Sequence, residues 1–350
     1  MKIAIVSDAW TPQINGVVKT LEHTIQQLRA QGHVVLVIEP GQFRTIACPS
    51  YPEIRLSIRP SRMLSKLLNE FRPDALHVAT EGPLGLAARR FAIDNALNFT
   101  TAYHTKFPEY LQARTGIDAR FFYPFMRWFH RPAKAVMVST DTVVAELQAR
   151  GFSNLVKWSR GVDMSLFDGK LRAGRCREAG DNPVFLYVGR IAIEKNIESF
   201  LSLTLPGDKW LVGDGPALES LSEKYPNAVF FGAKSHAELA EIYRQADVFV
   251  FPSRTDTFGL VLLEALASGL PVAAYPVAGP MDVLKDCEAA ALRHDLLEAC
   301  LTALELDSKQ AIEHARRYSW QATTQQFLAN LYPNPALSEH PKTLAKSPVA

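Results

Sequence analysis

The feature that most constrains this chain is a rhythm that runs through it twice. Short apolar runs of four to six residues alternate with longer stretches of helical period. Residues Lys2–Ser7, His33–Ile38, Ala75–Val78, Asn98–Ala102 and Ala135–Ser139 read as strands, with helical patterns at Val17–Gln31, Arg62–Phe71 and Leu84–Ala96 between them. A second set follows at Val184–Val188, Lys209–Val212, Ala228–Phe231, Val248–Phe251 and Pro271–Ala274. Strand–helix–strand repetition forces parallel pairing, with helices covering both faces of each sheet. The fold class is therefore α/β, as two doubly wound, Rossmann-like domains facing a central cleft. The boundary is expected near Gly161, giving an N-terminal domain of 1–160 and a second of 161–308. The polar stretch 170–182 reads as a loop. Residues 309–331 read as one helix packing back toward the first domain, with Ile312, Ala315, Tyr318, Ala322, Phe327 and Leu331 on its buried side. The tail, 333–350, has four prolines and no period, and is expected to be disordered.

Charge divides unevenly along that frame. Residues 1–160 hold 20 Lys and Arg against 12 Asp and Glu, a net of +8, whereas the rest of the chain carries −6. A basic half facing an anionic surface and an ordinary solvated surface are both compatible with this. The four cysteines are scattered, without metal-binding spacing, which suggests a reducing compartment. No apolar run approaches the roughly 20 residues of a membrane span, and the first apolar stretch is too short for a signal-peptide core. The expected location is cytoplasmic, free or on the cytoplasmic face of a membrane. Nothing resembles a nucleic-acid recognition module.

In doubly wound folds ligands sit beyond the carboxyl ends of the strands, so the loops there carry the chemistry. The strand Val184–Val188 runs into Gly189-Arg190-Ile191-Ala192-Ile193-Glu194-Lys195. Arg190 and Lys195 could bind a diphosphate without a metal; taken alone, they read first as a surface loop with two basic residues. The segment FPSRTDTFGLVLLEALASGLPVAA is more informative. It sets Asp256 and Glu264 eight positions apart, with a helix starting near Gly259. Glu264 lies among Val261, Leu262, Leu263, Ala265 and Leu266, where a carboxylate is costly unless partnered. A vicinal diol such as a ribose would serve.

These segments, with TPQINGVV (11–18), YHTKFPEYL (103–111), SRGVD (159–163), VGDGP (212–216) and ADVFVFPS (246–253), resemble the retaining glycosyltransferases of family 4, whose fold is called GT-B. The similarity is greatest to bacterial lipid glycosyltransferases: sulfoquinovosyl-, glucosyl/glucuronosyl-diacylglycerol and GDP-mannose-dependent enzymes. The resemblance implies that Arg190 and Lys195 hold the diphosphate of a UDP- or GDP-sugar and stabilise it as leaving group. It implies that Asp256 contacts the sugar, that the backbone near Phe258, Gly259 and Leu260 faces sugar and phosphate, and that Glu264 binds the ribose. Gly16 would approach the phosphate from the opposite domain, and His104 would lie near the sugar's reactive face. Trp10, Pro12 and Asn15 would border the acceptor. His130 belongs to the same resemblance without an assigned role. Two departures stand out: Asp256 where the family usually has Glu, and a region after Pro280 that looks abbreviated.

No G-x-S-x-G elbow, H-E-x-x-H motif or close carboxylate pair suggests hydrolytic chemistry, and no metal or other cofactor is expected. The implied reaction is transfer with retention to a membrane lipid such as diacylglycerol, forming an α-glycosidic glycolipid. The segment RPSRMLSKLL (59–68) reads as a basic amphipathic helix suited to an anionic membrane. The alternatives are a soluble-glycan transferase, an epimerase or phosphorylase on the same architecture, and a nucleotide-sugar-binding protein without catalysis. Oligomeric state is not legible.

Overall fold

Strand β1 (Lys2–Val6) shows why an unbroken apolar run suits this chain. Ile3 and Ile5 pack into one core cluster and Ala4 and Val6 into another, all fully buried. Both faces are interior, as a parallel sheet requires. The structure is a computed structural model describing residues 1–13, 15–48, 51–169 and 182–334. The N-terminal half continues with α1 (Gly16–Ala30), β2 (Val34–Ile38), an antiparallel hairpin of β3 (Thr45–Cys48) and β4 (Tyr51–Ser57), α2 (Ser61–Phe71), β5 (Ala75–Val78), α3 (Pro83–Asp94) and β6 (Phe99–Tyr103). It ends with α4 (Phe107–Thr115), α5 (Tyr123–His130), β7 (Ala135–Val138), α6 (Asp141–Ala149) and β8 (Leu155–Lys157). Six strands form one parallel sheet in the order β2-β1-β5-β6-β7-β8.

The second half repeats the plan. It comprises β9 (Val184–Val188), α7 (Glu198–Leu201), β10 (Asp208–Val212), α8 (Leu218–Lys224), β11 (Val229–Phe230), α9 (His236–Gln245), β12 (Val248–Phe251), α10 (Leu260–Ala267), β13 (Val272–Ala274), α11 (Ala278–Val283), β14 (Ala290–Leu292) and α12 (Leu296–Ala303). The sheet order is β11-β10-β9-β12-β13-β14, again all parallel. Phe185, Tyr187, Val248 and Val250 fill one face, and Leu186, Val188, Phe249 and Phe251 the other. The order reverses between β1 and β5 in the first sheet and between β9 and β12 in the second, which is where doubly wound sheets open a ligand crevice.

Two expectations are corrected. Residues 309–331 are two helices, α13 (Ser308–Ala315) and α14 (Trp320–Ala329), because the Ser319 hydroxyl caps a new start by accepting from the Ala322 amide. The break shifts the helical phase: Ala315, Phe327 and Leu331 are buried, Ile312 and Tyr318 half-buried, and Ala322 exposed. Helix α13 packs on α10, and α14 crosses back to pack on α1. The region after Pro280, read as abbreviated, nonetheless supplies the edge strand β14. The apolar side of α2 faces inward, with Leu64 and Leu68 fully buried. The loop read at 170–182 and the tail at 333–350 fall almost wholly outside the described residues.

The chain passes between the halves twice, at residues 158–163 and 316–320. The two passages touch: Val162 N–H donates to the Tyr318 carbonyl at 3.3 Å, and a Cβ on Gly161 would lie 2.4 Å from the Trp320 nitrogen. Glycine also fixes the loops after β9 and β10. Gly213 has φ +142°, and a Cβ there would sit 1.9 Å from the Gly189 carbonyl oxygen. Gly232, at φ +68°, would meet nothing within 4 Å. Gly232→Ala should therefore cost only the left-handed penalty of about 1–2 kcal/mol, whereas Gly213→Ala should cost more than about 4 kcal/mol because backbone must move. Chemical denaturation of the two variants checks the ranking.

Candidate active site

The strands flanking the second switch point, β9 and β12, deliver the charged groups. Beyond β9, Gly189 (φ +152°) leads into Arg190, whose carbonyl accepts from the Tyr187 hydroxyl at 2.8 Å. A single 3-10 turn, Ile193–Lys195, follows, and Asn196 leaves it in left-handed geometry at φ +53°. The Asn196 amide donates to the Pro252 carbonyl at 3.1 Å, binding this loop to the one after β12. Lys195 Nζ thereby reaches Asp256 Oδ1 at 2.5 Å. Burial alone would lower the ammonium's pKa, but the Asp256 carboxylate, with Tyr110 and Tyr187 beside it, outweighs burial and pushes it up, so Lys195 stays charged. Asp256 Oδ2 is buried and has no partner.

Helix α10 begins at Gly259, whose φ of +85° favours glycine, and no side chain caps it. Of its first-turn amides, that of Leu262 is taken by the Gly259 carbonyl at 3.0 Å, while those of Leu260 and Val261 have no acceptor within the helix. The Phe258 side chain is buried against Tyr318, so only its backbone can face the cleft. From the opposite domain, a Cβ on Gly16 would lie 3.6 Å from Leu260 Cδ1, so these two residues confront each other across the cleft. Glu264, one turn further on, is buried yet already partnered. Lys19 Nζ lies 3.0 Å from Oε1, and the Tyr243 hydroxyl donates to Oε2 at 3.2 Å. The partner that a buried carboxylate needs is thus supplied within the protein, by Lys19 and Tyr243.

His104 directly follows β6. Its carbonyl accepts from the Thr257 hydroxyl at 2.7 Å, and its Nδ1 accepts from Arg160 at 3.1 Å. Burial, then the Arg160 charge, hold the imidazole well below its usual pKa. The ring is neutral, with its proton on Nε2, which is buried without a partner. Arg160 is itself buried, anchored on the Trp158 and Ser159 carbonyls, and burial pulls its pKa down to about 9. His130 lies away from the cleft group, held between Thr101 (2.8 Å) and Glu81 (3.2 Å). Asn15 is taken up by capping, its Oδ1 accepting from the Val17 and Val18 amides at 3.0 Å. Trp10 packs against the core beneath α1.

Sequence reasoning missed the residues that close the cleft. Lys19, Tyr110, Arg114, Arg160 and Thr257 all bridge the domains or brace a bridge. Tyr110 lies 3.4 Å from Lys195, and Arg114 pairs with Glu194 at 3.1 Å. Ser139 donates to the Thr257 carbonyl at 3.1 Å. Lys19 sits four positions after Asn15, so helical spacing aimed it into the cleft, but nothing in its own neighbourhood named a partner. Between Lys19, Glu264, His23, Asp163, His236 and Trp320 a cavity of about 70 Å³ remains. Ligand pockets usually need about 300 Å³ or more, so this is a closed cleft. The Lys195–Asp256 pair gives a direct test. Asp256→Asn should leave the ammonium uncompensated and cost about 3 kcal/mol, and Asp256→Asn combined with Lys195→Met should recover most of it, as measured by denaturant unfolding.

With this geometry in place, the comparisons with known proteins are specific. Residues 14–166 match the family described as Glycosyltransferase Family 4, and residues 175–299 match Glycosyl transferases group 1. A GDP-mannose-dependent alpha-mannosyltransferase of Mycobacterium tuberculosis is 34% identical over 313 residues, spanning 81% of each chain. An alpha-monoglucosyldiacylglycerol synthase of Streptococcus pneumoniae is 26% identical over 87% of this chain and 78% of its own. Among solved structures, sucrose-phosphate synthase from Thermosynechococcus elongatus superposes with a TM-score of 0.73 at 19% identity, covering 94% of this chain and 97% of that one. That likeness shows the GT-B fold, and the sequence relationships show the rest: the chain belongs to the family 4, group 1 glycosyltransferases and is a transferase enzyme.

Proposed function

We propose that this enzyme moves a sugar from a UDP- or GDP-sugar to a membrane lipid such as diacylglycerol, retaining the α configuration and using no metal. The observation that carries the reading is convergence. Lys195, Asp256 and Glu264 reach the cleft from one domain, and Gly16 and His104 meet them from the other, with Arg190 on the loop that carries Lys195. Two cations, the Leu260 and Val261 amides at the start of α10 and a glycine approach across the cleft suit a diphosphate. Glu264 suits a ribose diol, with Lys19 displaced or swung aside as the ribose enters. The unpartnered Asp256 Oδ2 and the neutral His104 Nε2–H offer an acceptor and a donor of hydrogen bonds to sugar hydroxyls.

In the reaction the acceptor hydroxyl attacks the anomeric carbon on the face from which the diphosphate leaves. The new C–O bond forms as the bond to the phosphate oxygen breaks, and the hydroxyl proton passes to that departing oxygen. Arg190 and Lys195 stabilise the charge growing on the leaving group, which is where electrostatic preorganisation contributes most. The lipid acceptor is supported by the diacylglycerol synthase relative and the +8 charge of residues 1–160. Free cysteines Cys48, Cys287 and Cys300 fit a reducing compartment, hence the cytoplasmic face of a membrane. No described helix is long and apolar enough to cross one.

Nucleoside diphosphate release, assayed over UDP- and GDP-sugars with and without diacylglycerol vesicles, tests this directly. Release from one donor that rises with lipid is the expected outcome; release indifferent to every lipid would move the acceptor to a soluble glycan. Glu264→Ala should weaken nucleoside diphosphate binding by about 1.5–3 kcal/mol, or roughly 10- to 150-fold. Lys19→Met, which removes the competitor for that carboxylate, should leave the affinity unchanged or raise it. Isothermal titration calorimetry reads both.

A further inference from the structure

We infer that the corner formed by residues 117–128, between α4 and α5, is the surface by which this enzyme docks on an anionic bilayer, an inference that rests on the lipid-acceptor reading. Helix α5 buries Tyr123, Met126, Phe129 and His130. It turns Phe125 (39% exposed) and Trp128 (50%) outward, next to Phe121 (63%) and Ile117 (50%). Single exposed apolar residues are ordinary, but four large ones within one short corner are a patch.

The charges around the patch identify its partner. Residues 117–134 carry Arg120, Arg127, Arg131 and Lys134 against Asp118 alone. From α3, the Arg89 guanidinium stacks on Trp128 at 3.9 Å, and Arg120 lies 4.9 Å from the Phe121 ring centre. Aromatic rings with arginines at their edges match the boundary between acyl chains and headgroups, where rings sit at interfacial depth and cations meet phosphates. Helix α2, the basic helix singled out in the sequence, is poorer in this respect. Its Leu64 and Leu68 are in the core, and Met63 is left outside.

The corner is also fastened to the cleft. Gln112 on α4 accepts from the Ala119 amide at 2.9 Å, and the Tyr123 hydroxyl donates to Glu109 at 2.6 Å. The same helix α4 carries Tyr110 and Arg114, which reach Lys195 and Glu194 in the other domain. Helix α4 thus braces the exposed corner at one set of residues and touches the cleft loop of the other domain at another.

The test is co-sedimentation at low ionic strength with phosphatidylcholine vesicles, with and without phosphatidylglycerol. The proteins are wild type, Phe121→Ser/Trp128→Ser, and Arg62→Glu/Lys66→Glu as the α2 variant. Wild type should sediment only when phosphatidylglycerol is present. Phe121→Ser/Trp128→Ser should lose at least about tenfold in vesicle partitioning, with nucleoside diphosphate binding unchanged as proof of folding. Undiminished sedimentation of that variant, loss confined to the α2 variant, or no wild-type sedimentation would each overturn the corner as docking surface. Lipid-stimulated diphosphate release by wild type with a short-chain diacylglycerol in solution reports separately on the acceptor reading. Stimulation there with docking unaffected by the aromatic changes sinks the surface and spares the reading; no stimulation sinks the reading.

Discussion

A parallel sheet has to be covered on both faces, and that requirement leaves only its ends for polar chemistry. In both halves of this protein the strands present mostly apolar side chains to a core on each face, so the charged groups of the cleft come from the strand ends. Arg190, Lys195 and Asp256 therefore sit immediately past β9 and β12, Gly16 past β1 and His104 past β6. Facing the carboxyl ends of two such sheets toward each other makes a cleft whose walls are loops and helix starts. The glycines at 189, 213 and 259 let those loops turn back tightly enough to keep the groups at the rim.

Within that cleft the charges are mostly neutralised by one another. Lys195 holds Asp256, and Lys19 holds Glu264. Such pairs limit the cost of burying charge, and in water-poor surroundings they contribute little net stability. Their value lies in being exchangeable. A diphosphate can take the place of a carboxylate opposite Lys195, and a ribose can take the place of an ammonium opposite Glu264, so a bound nucleotide substitutes for contacts already made. His104 differs, since Arg160 fixes its tautomer and leaves a single N–H facing inward.

The strand and helix alternation was legible because burial on both faces writes continuous apolar runs, and Ala75–Val78, Val184–Val188 and Val248–Phe251 stand where the sequence placed them. Two of the four edges were not: β8 and β14 have three residues each and are only partly buried, so no continuous apolar run marks them. The split between α13 and α14 escaped because Arg317, Tyr318 and Ser319 preserve apparent periodicity across a chain reversal. The C-terminal half of the site was readable from local spacing, Arg190 to Lys195 and Asp256 to Glu264. The contacts that join it to the other domain were not, since Lys19 and Glu264 are 245 positions apart and neither segment mentions the other.

The near-contact of Gly161 with Trp320 has a mechanical meaning. The chain crosses between domains in two places, and both crossings are pressed together at one spot. Two tethers set far apart would lock the halves like a double-bolted plate, whereas two tethers at one point act as a ball joint. Tethers that meet at one point resist sliding across that point more than rotation about it. A small rotation at that joint becomes a wide gape at the distant rim, so a ligand far larger than the closed cavity can be admitted while every group returns to register when the halves close.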